Sequence, residues 1–411
     1  MAGCCKSLTS VLFEYDTSKV VHIQSKTIGI INRLIQLSII CYVIIYVMIY
    51  KKGYQDTQKP YSSITTKVKG VWSTNLTPVV NESFPLYDGI HVWDSPDYIV
   101  PPEENGAFFV MTNMIITPDQ SQGACPEDPD LMDVKCDNDS DCEAMEPIHY
   151  GHGIKTGRCV KADRGNKTRM KVCEIYAWCP VEIDEIPMPH FNLSYGVPLL
   201  ETENFTVLIK NTVQFPKFKQ SKRNIPSDRN SSYLKMCIYD PDKEPHCPII
   251  KLGTIVKQAG EDYKNLAYKG GVMGIIINWD CNFDSLSYSC EPKYSFRRLD
   301  DAKAPIAPGY NFRFARYYEK DGKLHRTLFK AYGIRYVVLV YGQGGQFSVV
   351  PLFLNLGSGL ALLGIATVLC DIVILYFVKS KSYYRSKKYQ VVNDPDEDGE
   401  SGYSIFSEER K

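Results

Sequence analysis

Lys67-Val68-Lys69 sets two ammonium groups two residues apart. On a strand, residues i and i+2 emerge from the same face, so the two lysines share a side while Val68 points to the other. Asn311-Phe312-Arg313 repeats the arrangement with an amide and a guanidinium, and Phe312 and Phe314 give it an apolar backing. Lys330 lies on a further strand-like segment. Each of them alone fits a solvated surface position, and the pattern does not bring them together. Phosphate-loop chemistry is excluded: no Gly-x4-Gly-Lys-Ser/Thr occurs, and Gly357-Ser358-Gly359 lacks a third glycine at Leu362. His149-Tyr150-Gly151-His152 has metal-like spacing for zinc or copper, but two histidines make at most half a site.

Two apolar runs frame these residues. Leu34 to Tyr50 carries no charge, and its apolar context reaches back to Ile28. At about 1.5 Å per residue, residues 28–50 reach roughly 34 Å, enough for a hydrocarbon core of ~30 Å. From Phe347 to Val378 the only ionisable group that could carry charge is Asp371, Cys370 and Tyr376 being neutral. Lys51-Lys52 stand where a signal peptide would need small residues. Basic residues precede the first run and follow the second, which places both termini in the cytosol. The segment between them agrees. It holds seven Asn-x-Ser/Thr sequons, at Asn75, Asn81, Asn138, Asn166, Asn192, Asn204 and Asn230, and none lies outside it. Glycosylation needs a lumenal, later extracellular, surface.

Ten of the fourteen cysteines share that middle segment: Cys125, Cys136, Cys142, Cys159, Cys173, Cys179, Cys237, Cys247, Cys281 and Cys290. An even number in an oxidising compartment implies five disulfides. The first six crowd a polar stretch with too little apolar content for its own core. Short alternating runs at 65–69, 205–210, 311–314 and 332–341, punctuated by Pro, Gly and Asn, predict a β-rich ectodomain. The organisation expected is a cytosolic segment 1–27, a transmembrane helix 28–50, an ectodomain 51–346 with a Cys-rich head at about 125–179, a pore-lining transmembrane helix 347–378, and a cytosolic tail 379–411. Lys+Arg and Asp+Glu both number 47, so net charge is zero and gives no reason to expect a nucleic-acid partner.

The second apolar run is not a plain anchor, because it carries Asn355, Gly357, Ser358, Gly359, Ala361, Gly364 and Asp371. Polar groups in a bilayer are costly unless they face neighbours or water. At 100° per residue Leu354, Ser358, Ala361 and Ile365 fall within about 40° of one line, read as pore-facing. Gly357, Gly364 and Asp371 form a second line, read as helix packing. The run is long for a bilayer, so it must tilt or break, with Gly357-Ser358-Gly359 the expected break. Two spans cannot enclose a pore, so a cyclic homo-oligomer in the lipid bilayer follows.

Taken together, the chain resembles the ionotropic purinoceptors, the trimeric ATP-gated cation channels. The resemblance rests on Tyr15-x-Thr17-x-Lys19, Gly53-Tyr54-Gln55, Lys67-Val68-Lys69-Gly70, the ten ectodomain cysteines and Gly309-Tyr310-Asn311-Phe312-Arg313. It continues in Lys330-Ala331-Tyr332-Gly333-Ile334-Arg335, the stretch from Gly357 to Gly364, and Tyr384-x-x-x-Lys388. Met1 to Cys5 and Phe13 to Thr17 look most like the fourth vertebrate subtype. The resemblance implies a homotrimer, or a heterotrimer with related subunits, with two transmembrane α-helices per chain. It implies ATP as an agonist, no cofactor, no enzyme activity, and sodium, potassium and calcium as permeating cations. By position, Lys67, Lys69, Asn311, Arg313 and Lys330 match the family's triphosphate contacts and Thr206 its adenine contact. Leu208 and Ile249 match apolar contacts to base and ribose. The family site lies between adjacent subunits. Its disulfide pairing would be Cys125–Cys179, Cys136–Cys159, Cys142–Cys173, Cys237–Cys247 and Cys281–Cys290. A glycan on Asn204 would sit close to the base, so it points away or that sequon is unused. Plasma-membrane residence is implied, and Tyr389-Gln390-Val391-Val392 and Tyr403-Ser404-Ile405-Phe406 fit endocytic signals compatible with endolysosomal cycling. An apyrase-type ecto-enzyme shares the two-span topology, but Asp163-Arg164-Gly165 is a lone match to its phosphate loops. The epithelial and acid-sensing sodium channels share the topology but not these motifs.

Overall fold

The computed structural model describes residues 26–75, 90–162, 170–184, 199–225, 232–284, 290–304, 307–379 and 381–388. Alternation of apolar and polar residues builds the strands. Those described are β1 (Gln55–Gln58), β2 (Tyr61–Lys69), β3 (Trp72–Asn75), β4 (Ile90–Trp93), β5 (Ala107–Pro126), β6 (Ile154–Lys161) and β7 (Lys171–Cys179). They continue as β8 (Thr206–Phe215), β9 (Gln220–Arg223), β10 (Ile249–Lys251), β11 (Gly271–Asn282), β12 (Pro292–Arg298), β13 (Asn311–Lys320) and β14 (Lys323–Phe347). In β8 the period of two is plain: Val207, Ile209, Asn211, Val213 and Phe215 are buried, and the residues between them lean outward. The alternating runs expected from sequence fall in or at the edge of β2, β8, β13 and β14.

The chain divides into two units, one of residues Thr57–Gly345 and one of the segments on either side. In the first unit, one sheet runs β10-β8-β2 with β9 also on β8. A larger sheet runs β12-β11-β14-β5-β7-β6, and β13 also pairs β14. Its long β14 pairs β13 antiparallel through Lys323–Tyr332 and β11 in parallel through Ile334–Gly345. The core between the strands holds Trp279, Tyr336, Phe109, Phe215, Ile209 and Ile250, all fully buried. One buried amide joins the two sheets. Trp279 Nε1 donates to Asn211 Oδ1 at 2.7 Å, and Asn211 Nδ2 donates to the Ser63 carbonyl at 3.0 Å. Leaving such a group unpartnered would cost about 1–3 kcal/mol, so this contact fixes β8 against both β2 and β11.

The structure closes Cys125–Cys179, Cys136–Cys159 and Cys142–Cys173 in the head, and Cys237–Cys247 and Cys281–Cys290 as short loops. Head packing is sparse. A buried group of Val134, Ala162 and Val172 stands beside a cluster of half-cystines. Loops of 54, 23 and 31 residues each restrict the unfolded chain by about 3–4 kcal/mol on the chain-entropy estimate, which substitutes for missing apolar burial.

Glycines set the entry to β13. Gly270 and Gly309 have φ of +83° and +87°, and a Cβ on either would lie 2.1 Å from the backbone oxygen of Tyr310 or Lys269. This close passage, with Tyr310 N donating to Lys269 O at 3.2 Å, delivers Asn311 to its register.

In the second unit, an α-helix from Lys26 to Cys41 runs on in π-form from Tyr42 to Tyr50, and another from Val349 to Ile372 runs on from Val373 to Phe377. At 25 and 29 residues both are long and apolar enough to cross a bilayer. One expectation needs correction. The second helix does not break at Gly357-Ser358-Gly359 but continues through it. Asn355 Nδ2 donates to the Gly53 carbonyl at 2.7 Å and Ser358 Oγ to the Asn355 carbonyl at 3.0 Å, anchoring this stretch. Glycine costs about 1 kcal/mol in a helix in water, less than an unpaired backbone group costs in lipid. Within the chain the helix seam uses positions other than Gly357, Gly364 and Asp371. Gly359, Ala366 and Cys370 are the buried positions, and Val43 fills the space over Gly359. A Cβ added at Gly357 or Gly364 would meet nothing within 4 Å in this chain, and Asp371 pairs with Lys388.

Candidate functional site

Strand register assembles the first half of the site. Lys67 lies opposite Leu208 and Lys69 opposite Thr206, while Ile249 lies opposite Leu208 from the other side. The outward face of β2-β8-β10 therefore carries Lys67, Leu208 and Ile249 in one row, with Lys69 and Thr206 in the next. Val68, Val207 and Ile250 point inward, and the last two are completely buried. Both lysines are exposed, and Thr206, Leu208 and Ile249 are half-buried. This surface offers two ammonium groups, a hydroxyl and two aliphatic side chains side by side.

The second half lies on β13 and β14. Arg313 stands opposite Lys330 and Asn311 opposite Tyr332, so these polar groups share a face. Behind them, Phe312 meets Phe109 edge-on at 4.8 Å and Phe314 stacks on Phe329 at 5.0 Å. The backing fixes the strand while its polar ends project. The structure thus groups the eight expected ligand residues into two sets on two sheets.

Sequence reasoning missed the carboxylates that hold the second set. Arg313 forks onto Glu182, with Nε at 2.7 Å and Nη2 at 3.0 Å, and Nη2 also lies 3.6 Å from Asp184. Lys330 Nζ donates to both Asp184 oxygens at 2.5 and 2.6 Å. Glu182 has only 2% of its side chain exposed and turns both carboxylate oxygens to Arg313. The Glu182 hydrogen bonds raise the Arg313 guanidinium above its ordinary pKa against the opposing effect of burial. Burial would lower Lys330, but the Asp184 and Tyr332 hydrogen bonds outweigh it and raise the ammonium. No local spacing signals these pairs, since 131 residues separate Glu182 from Arg313.

Other expected sites are placed as follows. Leu354, Ser358 and Ala361 are exposed on the second apolar helix of the single chain. Asn138 and Asn204 are exposed, and Asn204 Nδ2 donates to Glu201 at 2.8 Å. Asn75 ends β3, while Asn81, Asn166, Asn192 and Asn230 lie outside the described residues. His149 is exposed next to Tyr150, but His152 is committed to Glu127, its Nδ1 at 2.6 Å and its backbone N at 2.8 Å. The one described cluster of three metal-type ligands, Cys136, Cys142 and Cys173, is tied up in disulfides.

The His152 pair makes the head sensitive to pH. The Glu127 hydrogen bond raises His152 above its ordinary 6.5 against burial, and Glu182 and Asp128 add attraction. A raised histidine contributes stability that is full below the unfolded value and is lost as pH rises through the folded one. Burial would raise Glu127, but the His152 bonds outweigh it and lower its pKa, so that contribution goes as pH falls below about 4.5. Hydrogen exchange at residues 147–153 should accelerate as pH climbs from about 6.5, beyond the chemical base dependence. In His152→Gln that extra acceleration should disappear.

Two apolar helices and a disulfide-braced β-rich unit with two cation-bearing faces define a membrane receptor for an anionic ligand. The sequence model described as ATP P2X receptor matches residues 13–391. The P2X purinoceptor 4 of Mus musculus is 49% identical over 398 residues, 96% of this chain and 97% of that one. The P2X purinoceptor 5 of Homo sapiens is 44% identical over 391 residues, 94% and 84% of the two chains. Among solved structures, an invertebrate P2X receptor from the Gulf Coast tick, in the presence of ATP and Zn2+, superposes with a TM-score of 0.75 at 46% identity. It covers 84% of this chain and all of that one. The chicken ATP-gated P2X7 receptor with the competitive antagonist TNP-ATP gives 0.69 at 37% identity, covering 86% of this chain and all of that one. The chain belongs to the P2X receptor family.

Proposed function

We propose that three copies of this chain form a cation channel opened by extracellular ATP, and that ATP binds between subunits. The observation that carries the reading is the division of the cationic residues into two sets on two sheets of one chain. Lys67, Lys69, Arg313 and Lys330 supply four positive charges for a triphosphate of about four negative ones, and Asn311 adds a neutral donor. Thr206 addresses adenine, and Leu208 and Ile249 pack on base and ribose. The tick and chicken relatives, solved with ATP and with TNP-ATP, support the ligand class.

In this account ATP favours the form in which two subunits close on it, and the second helices then separate at Leu354, Ser358 and Ala361. ATP biases opening only by its tighter binding to that form. Sodium, potassium and calcium pass, and the chain performs no catalysis. The channel resides in the plasma membrane with both termini in the cytosol and cycles through endolysosomes. Related subunits can replace one or two of the three. The sequons are glycosylated where exposed, and at Asn204 either the sugar points away from Thr206 or the sequon stays unused.

Subunit mixing tests the intersubunit site. Co-expressed Lys69→Ala and Arg313→Ala chains should give ATP-evoked current well above either alone, because some interfaces then pair two intact halves. Equal silence in the mixture would place both halves of a site within one subunit.

A further inference from the structure

We infer that Lys251 is a further positioning residue for the nucleotide, one that favours adenine over bases bearing a hydrogen on the N1 ring atom. The inference rests on the reading of the β2-β8-β10 face as the adenine side of the ATP site.

Register carries it. Lys251 pairs with Thr206 across β10 and β8, as Lys69 pairs with Thr206 across β2 and β8. Thr206 is thus flanked by a lysine on each side in one row. In β10 the middle residue, Ile250, is completely buried, which turns Ile249 and Lys251 to the outward face. Leu252 N donates to the Phe205 carbonyl at 2.9 Å and pins the end of β10 beside the start of β8. With strands about 4.8 Å apart, a lysine stem easily reaches a ligand seated on Thr206.

Local structure gives no reason for a lysine here. Lys251 is the N-cap of the helix Leu252–Gln258, with no side-chain capping bond. Capping positions favour Ser, Thr, Asp or Asn, and a cation at a helix N-terminus opposes the helix dipole. Among the described residues Lys251 is exposed and has no ion pair, so no carboxylate accounts for it either. A residue that helix formation disfavours and no neighbour neutralises fits a ligand role.

The donor count sets the specificity. An ammonium offers three donors and no acceptor. Adenine has an acceptor at N1 beside its exocyclic amine, so Thr206 can accept from the amine while Lys251 donates to N1. Hypoxanthine carries a hydrogen on N1, which places a donor against a donor.

The test is concentration–response recording of the full-length channel with ATP and with ITP, for wild type, Lys251→Met and Lys251→Arg. Loss of a charge-assisted hydrogen bond should raise half-maximal ATP about tenfold in Lys251→Met. The ITP value should stay within about twofold, and Lys251→Arg should retain most of the ATP preference. Equal shifts for both nucleotides would reduce Lys251 to a general attractor of polyphosphate and overturn the inference, as would no shift. If Lys251→Met fails to reach the surface, Lys251→Gln gives the same reading. Thr206→Val and Lys69→Ala serve as parent controls. If neither alters the ATP response, the adenine face itself is misplaced. If both do and Lys251→Met does not, only this inference fails.

Discussion

Replacing Lys67 and Lys69 together by alanine should raise the ATP concentration for half-maximal current at least about 100-fold, with surface expression near wild type. Each lysine is assigned a charge-assisted hydrogen bond to phosphate, worth about 1.5–3 kcal/mol. Two such losses give roughly 3–6 kcal/mol, two to four orders of magnitude in affinity. Folding should be spared because both side chains are exposed and neither makes an ion pair among the described residues. The inward neighbour Val68, packed against the main core, is untouched. Surface labelling beside concentration–response curves separates binding from folding. Unchanged ATP sensitivity would remove this face from the ligand site.

Arg313 and Glu182 should respond in opposite directions. Arg313→Ala removes a proposed phosphate contact and strands a carboxylate with 2% of its side chain exposed. Breaking a buried pair costs up to about 3–5 kcal/mol, less here because the Arg313 side chain is 48% exposed. The expected result is an ATP response shifted at least about 100-fold or abolished, with reduced surface expression. Glu182→Gln keeps the side-chain volume and the acceptor oxygen but removes the charge. The carboxylates of Glu182 and Asp184 occupy donors that a triphosphate would need, so ATP must compete with them. Weakening that competition should lower half-maximal ATP about three- to tenfold. A rightward shift in Glu182→Gln would mean that the carboxylate orients Arg313 for ATP rather than competing with it.

The sequence revealed the strand faces because alternation is local. Lys67 and Lys69 had to share a side once Val68 turned inward, and Asn311 and Arg313 followed the same rule. It could not bring Thr206 beside Lys69, since that neighbourhood arises from a register between strands distant in the chain. The resemblance to the purinoceptors supplied Thr206. Glu182 and Asp184 stayed hidden for the same reason, and no motif led to them. The break expected at Gly357-Ser358-Gly359 from the length of the run failed because length alone does not decide between tilting and breaking, and in an apolar setting backbone bonds outweigh glycine's cost in a helix. The seam residue Gly359 belonged to that same motif, but only the position of Val43 distinguishes it from Gly357.

Whole-cell recording during brief ATP pulses, on cells expressing only this chain, tests the central claim most directly. The account predicts a rapid inward cation current that reverses near 0 mV with mixed sodium and potassium, returns to baseline after washout, and is absent from cells lacking the chain. Release of inorganic phosphate from ATP without any evoked current, with the chain at the cell surface, would contradict it and favour an ecto-enzyme.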